Sequence, residues 1–201
     1  MVGPNDLTTL PDDLPIVIDD GAAAHLLGAA LPRVTLRSTG DRDVDVGAHP
    51  GLMVIYAYPM TGVPGEALPT DWDLIPGARG CTPQACAYRD HHADLAALGA
   101  VVYGLSTNSP EHQREAAARL HLPFELLSDG SGAFADAMGL PTFEVDGVRL
   151  LKRLTLVTNV GSVERVHYPV VPSDADAERV VSYLTSRRAL GTSEGKAPSP
   201  T

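Results

Sequence analysis

Leu52-Met53-Val54-Ile55-Tyr56-Ala57-Tyr58 is a nearly unbroken apolar run, stopped by Pro59. A short run bounded in this way reads as a strand buried on both faces. Val101-Val102-Tyr103-Gly104-Leu105-Ser106 repeats the pattern. Between the two runs, Tyr88, Leu95 and Leu98 fall at helical spacing over residues 84–98, and Gly99 ends the helix. Ahead of the core, residues 32–36 and 44–46 flank the turn Ser38-Thr39-Gly40-Asp41 and predict a hairpin. Residues 22–30 predict a short helix. Ser109 or Asn108 caps a helix that opens at Pro110 and runs to about Leu120. A short strand over 124–127 and a short helix over 133–138, stopped by Gly139, come next. Turns at Asp146-Gly147 and Asn159-Val160-Gly161 predict two more hairpins, and a last helix runs over about 175–190. This order predicts an α/β fold with a central mixed β-sheet flanked by helices and preceded by a β-hairpin extension.

The polar stretches divide the chain. Residues 1–27 read as an N-terminal arm, 28–190 as one domain, and the Gly/Ser/Pro-rich residues 191–201 as a disordered tail. Residues 59–80 carry Gly62, Gly65, Gly77, Pro64, Pro69, Pro76 and the single tryptophan, Trp72. So long a loop inside a compact domain is usually functional, and Trp72 is expected to pin it to the body. A net charge of -10 argues against a nucleic-acid or membrane-surface partner, since both require a basic face. No signal peptide or apolar segment of membrane-spanning length is recognisable, so the expected compartment is the cytoplasm.

Only two cysteines are present, in Gly80-Cys81-Thr82-Pro83-Gln84-Ala85-Cys86. In a reducing compartment such a close pair points to redox or metal chemistry. The start of a helix offers unpaired N–H groups and partial positive charge, which favour a thiolate, and Arg79 and Arg89 are near in sequence. His91 and His92 extend the cluster, but as sequence neighbours they point to different helix faces, and no metal site is expected. Because the residue before proline disfavours the α region, Thr82 is predicted to be an extended N-cap with Pro83 opening the helix. Cys81 would then sit just outside the helix, and oxidation would unwind only a short segment.

These residues carry a resemblance. Tyr58-Pro59, Gly80-Cys81-Thr82, Ala85 to Asp90, Gly99 to Ser106, Pro123 to Asp129, and Arg153-Leu154-Thr155-Leu156-Val157 with Gly161 together resemble the peroxiredoxins. They are most similar to the peroxiredoxin Q (bacterioferritin comigratory protein) group, over roughly residues 28–185. The resemblance implies a thioredoxin-like fold and a thiol peroxidase that reduces hydrogen peroxide or organic hydroperoxides. It implies that Cys81 is the peroxidatic cysteine, that Cys86 resolves it as an intramolecular disulfide, and that Arg153 contacts thiolate and peroxide. Pro59, Thr61, Gly80 and Thr82 become the expected substrate-binding residues. The reductant would be a thioredoxin-like protein or a low-molecular-weight thiol, no metal or other cofactor is called for, and the protein would be a monomer or homodimer.

The chain departs from the family motif Pro-x-x-x-Thr-x-x-Cys. Ala78 occupies the threonine position and Leu74 the proline position. Pro59 is expected to keep the proline role across an inserted loop, with Thr61, or else Thr70, folding back to supply the hydroxyl. Gln84 stands where the family has glutamate. These departures leave two other functions open: a thiol–disulfide oxidoreductase or pathway-specific enzyme acting on a non-peroxide substrate, and a non-enzymatic redox sensor.

Overall fold

A computed structural model of the chain describes Leu7, Leu10 and residues 13–194. Among these residues, seven strands form one mixed sheet in the order β2-β1-β5-β4-β3-β8-β9. Its centre is β3 (Leu52–Ala57), parallel to β4 (Val101–Ser106) and antiparallel to β8 (Leu154–Asn159). β5 (Glu125–Ser128) runs parallel to β4, and β9 (Ser162–His167) closes the other edge as a hairpin with β8. The expected N-terminal hairpin is present as β1 (Thr35–Ser38) and β2 (Asp43–Asp45), and β1 extends the sheet antiparallel to β5. β6 (Thr142–Val145) and β7 (Val148–Leu151) pair as a separate two-stranded ribbon. Its turn places Asp146 and Gly147 at positive φ, as the Asp-Gly pair predicts.

Two hydrophobic layers bury the central strands. Met53, Ile55 and Ala57 face one layer with Leu105, Leu127, Leu156 and Phe134. Val54, Tyr56 and Tyr58 face the other, against Ala85, Tyr88, Leu95, Val180 and Leu184. This two-residue alternation, apolar on both sides, explains the unbroken run in the sequence. Each fully buried large side chain contributes about 1.5–3 kcal/mol.

The helices are α1 (Cys81–Asp90), α2 (His92–Ala97), α3 (Pro110–Arg119), α4 (Ala133–Met138) and α5 (Asp176–Glu194). Four of the sequence expectations change here. Residues 84–98 are two helices, broken at His91, rather than one. Residues 22–30 contain only a single 3-10 turn, Ala24–Leu26. The last helix continues to Glu194, four residues past its expected end and into the stretch read as a tail, whose remaining residues 195–201 lie outside those described.

The fourth change concerns the cysteines. α1 begins at Cys81 itself, so Thr82 is helical, not an extended cap, and Pro83 lies within the first turn. Proline is tolerated there because first-turn N–H groups lack helical partners, so its missing donor costs nothing. The helix entry is set instead by Gly80, at φ 106°. A Cβ on Gly80 would run into Ser173 Oγ and approach Leu10 Cδ2 to 3.1 Å, so both conformation and space select glycine.

Candidate active site

Sheet register brings the site together. β3 ends at Ala57, paired with Leu154, so Arg153 enters β8 beside the carboxyl end of the central strand. The loop from β3 then returns to that end and delivers Cys81 at the N-terminus of α1. It is held at several points. Trp72 is buried, packs with Ala78 and Leu150, and lies 6.3 Å from the ring of Phe143. His112 Nε2 is 2.6 Å from the Thr61 carbonyl oxygen, and Arg119 donates to the Gly62 carbonyl at 3.0 Å. His112 and Arg119, both on the helix that opens at Pro110, thus anchor the loop.

Cys81 is 5% exposed, and Arg153 is 4% exposed. Arg153 Nη2 lies 3.2 Å from Cys81 Sγ and also faces the carbonyls of Gly77, Ala78 and Arg79 at 3.3, 3.3 and 3.0 Å. The Cys81 thiol is 3.6 Å from the Ala78 carbonyl oxygen. Arg153 Nη1 donates a short hydrogen bond to Gln84 Oε1, and Gln84 Nε2 donates to Asp176 Oδ2 at 3.1 Å. Tyr88 and Thr155 hydroxyls reach the same carboxylate oxygen at 2.8 and 2.6 Å. Beneath the thiol, the rings of Tyr56 and Tyr88 stack with centroids 4.4 Å apart. The other arginines are engaged elsewhere. Arg79 pairs with Asp73 at 3.2 Å, and Arg89 pairs with Asp90 at 2.8 Å while facing Cys86.

A cavity of about 20 Å³ opens at Cys81, walled by Leu7, Met60, Leu68, Trp72, Gly80 and Thr82. A space holding one water needs about 10–15 Å³, so this cavity admits a reactant of very few heavy atoms. Thr82 and Gly80 therefore line the thiol pocket, whereas Pro59 is buried just past the end of β3 and does not line it. Thr61 is buried near Tyr58: burial pushes that phenol up to about 12, and the Ser106 and Thr61 side chains, close to it but outside hydrogen-bond geometry, partly counter the rise. Thr70 is exposed, and its N–H donates to Asp146. Among the described residues, the polar contacts of Cys81 Sγ are thus Arg153 and the Ala78 carbonyl.

Both cysteines are free, Cys86 being partly exposed. They occupy one helix, where five residues of rise separate them by about 7.5 Å. A disulfide needs Cα atoms within about 7 Å, so joining them requires the first turn to open. No group of three or more His, Cys, Asp or Glu among the described residues is arranged to hold a metal ion.

A thiol under an arginine at a helix mouth, beside the end of a central strand, matches a known family along most of its length. The redoxin family model matches residues 26–181. The chain belongs to the redoxin family. Among the family members it is similar to are proteins of the peroxiredoxin Q and Bcp type. It is 33% identical over 115 residues to a chloroplastic peroxiredoxin Q of Oryza sativa subsp. japonica, covering 57% of this chain and 46% of that protein. It is 31% identical over 112 residues to peroxiredoxin Bcp of Bacillus subtilis, covering 55% of this chain and 62% of that one. The chain thus spans about half the length of the first of these redoxins and somewhat more of the second. The crystal structure of peroxidoxin BcpB from Mycobacterium tuberculosis superposes with a TM-score of 0.64 at 25% identity, covering 80% of this chain and 96% of that one. The thioredoxin-like α/β fold expected from the sequence is the fold of this redoxin.

Sequence reasoning named Cys81, Cys86 and Arg153, of which the structure brings Arg153 onto Cys81 and places Cys86 on the same helix, but it did not name Asp176, which reads in sequence as an ordinary acid at the start of a helix. It also missed Leu7 and Leu10 as neighbours of the thiol pocket. Apolar residues within a polar arm were the available signal.

Proposed function

We propose that the chain is a thiol peroxidase, with Cys81 as the peroxidatic cysteine, Cys86 as the resolving cysteine and Arg153 as the group that stabilises both thiolate and leaving oxygen. The observation that carries this reading is the guanidinium of Arg153, buried and 3.2 Å from Cys81 Sγ, beside a cavity of a few atoms' size. The Cys81 thiolate attacks one peroxide oxygen, the O–O bond breaks, and its electron pair leaves on the second oxygen, which takes a proton to become water or an alcohol. Cys81 is oxidised to a sulfenic acid. The Cys86 thiolate then attacks the Cys81 sulfur, the hydroxyl leaves with a proton as water, and a disulfide forms. A thioredoxin-like protein or a low-molecular-weight thiol reduces it. A reducing compartment such as the cytoplasm suits a chain whose resting cysteines are free.

The cavity favours hydrogen peroxide over bulky hydroperoxides unless Leu7 or the 59–80 loop moves aside. Ala78, with no hydroxyl to offer at the motif position, favours as a second reading a redox enzyme for a non-peroxide substrate. Mass spectrometry after stoichiometric hydrogen peroxide separates the two. A Cys81–Cys86 disulfide in the unmodified protein, and a trapped sulfenic acid at Cys81 in Cys86→Ser, are the expected products. Unchanged thiols at both positions would leave only the second reading.

A further inference from the structure

We infer that Asp176 is a positioning residue for the thiol site, holding Arg153 on Cys81 through the side-chain amide of Gln84. The inference rests on the proposed role of Arg153 and explains how that residue is held. Asp176 opens α5 and is wholly buried. Its Oδ2 accepts from Gln84 Nε2, Tyr88 and Thr155, and its Oδ1 lies 3.0 Å from His167 Nδ1. An ionised carboxylate only accepts, so His167 presents its proton at Nδ1. A guanidinium only donates. Gln84 stands between these two, and only one amide orientation serves both: Nε2 toward Asp176 and Oε1 toward Arg153. Asp176 therefore fixes the amide, and the amide fixes the guanidinium.

The charge logic explains why glutamine is present. A carboxylate at position 84 would meet Asp176 as a like charge and would neutralise Arg153 directly. With Gln84, the anion lies one side chain further off. Arg153 keeps its positive charge for Cys81 while its fork remains oriented. Asp176 is balanced on its far side by His167, from β9, and by the hydroxyls of Tyr88 and Thr155, from α1 and β8.

The test titrates the thiolate absorbance of Cys81 in a Cys86→Ser background, without peroxide. In Asp176→Asn the thiolate fraction at a fixed pH below the midpoint is expected to fall, about tenfold for each unit by which the midpoint moves. Loss of a nearby negative charge by itself acts in the opposite sense and favours the thiolate. A rise, or no change in a variant with native circular dichroism, overturns the inference. Gln84→Met leaves Asp176 its three other partners and is expected to give the same fall should Asp176→Asn not fold. No fall there also overturns it. The double variant should fall no further than the larger single effect, and additive falls contradict a shared route. Failure of the peroxidase reading would appear separately, as slow oxidation of the unmodified protein with its thiolate titration intact.

Discussion

Arg153 is surrounded by more acceptors than one cation usually serves: Gln84, three consecutive loop carbonyls and the Cys81 sulfur. Nη2 has two hydrogens for four of these, so it moves little without losing one contact for another. A planar fork can span such a set; an ammonium cannot. Replacing Arg153 with Gln is expected to slow oxidation of Cys81 by hydrogen peroxide about 10²–10³-fold, the usual cost of removing a donor aimed at developing charge. Arg153→Lys should recover only part of that rate. Gly80 is the second residue on which the site depends. Gly80→Ala meets both the positive φ and Ser173, and should destabilise the fold by about 1–3 kcal/mol in denaturant unfolding. The motif position Ala78 contributes through its carbonyl, which receives both Arg153 and the thiol, while its methyl packs against Trp72.

At the scale of elements, α1 must be stable when reduced and open when oxidised. With Cys81 inside the helix, disulfide formation requires the first turn to open, and Gln84 is carried with it. The link between Arg153 and Asp176 is therefore expected to break on oxidation. Hydrogen exchange should lose protection from Cys81 through at least Cys86 in the oxidised form, while β3 and β4 stay protected. An oxidised protein with α1 fully protected would exclude the intramolecular bridge.

The strands were legible because β3 and β4 are apolar on both faces, and the hairpins because Asp146-Gly147 and Val160-Gly161 supply the positive φ their turns need. The start of α1 was misread because the local preference of a residue before proline is weak beside the packing of Gly80 against Ser173 and Leu10. Asp176 was invisible for a related reason. Its partners come from α1, β8 and β9, up to 92 residues away in sequence, and no local pattern announces them.

At the scale of the whole molecule, described residues of the arm lie against the site. Asp20 bonds to Lys152 at 2.6 Å and to the Tyr168 hydroxyl at 2.7 Å, and these hydrogen bonds hold its carboxyl well below the usual range. Leu10, Leu14 and Val17 line an apolar cavity of about 350 Å³ with Val170 and Val171, against Arg153. Deleting residues 1–20 should therefore speed alkylation of Cys81 by bulky reagents more than by small ones. Asp176 links the site to global stability. Burial raises its carboxyl, but bonds from His167, Thr155 and Tyr88 outweigh that and bring it below its ordinary value. A depressed carboxyl contributes stability above its unfolded value, about 3.9, and loses it as pH falls through the folded value. Melting temperature should decline below about pH 4, and less steeply in Asp176→Asn.

Trp72, the single tryptophan, walls the cavity at Cys81 and gives the direct probe. Its fluorescence can be followed in stopped flow as reduced protein meets hydrogen peroxide, with Cys81→Ser as the control. The expected result is a second-order change far faster than the reaction of a free thiol with peroxide, absent in Cys81→Ser. A rate no faster than that of a free thiol would contradict the peroxidase reading of this redoxin.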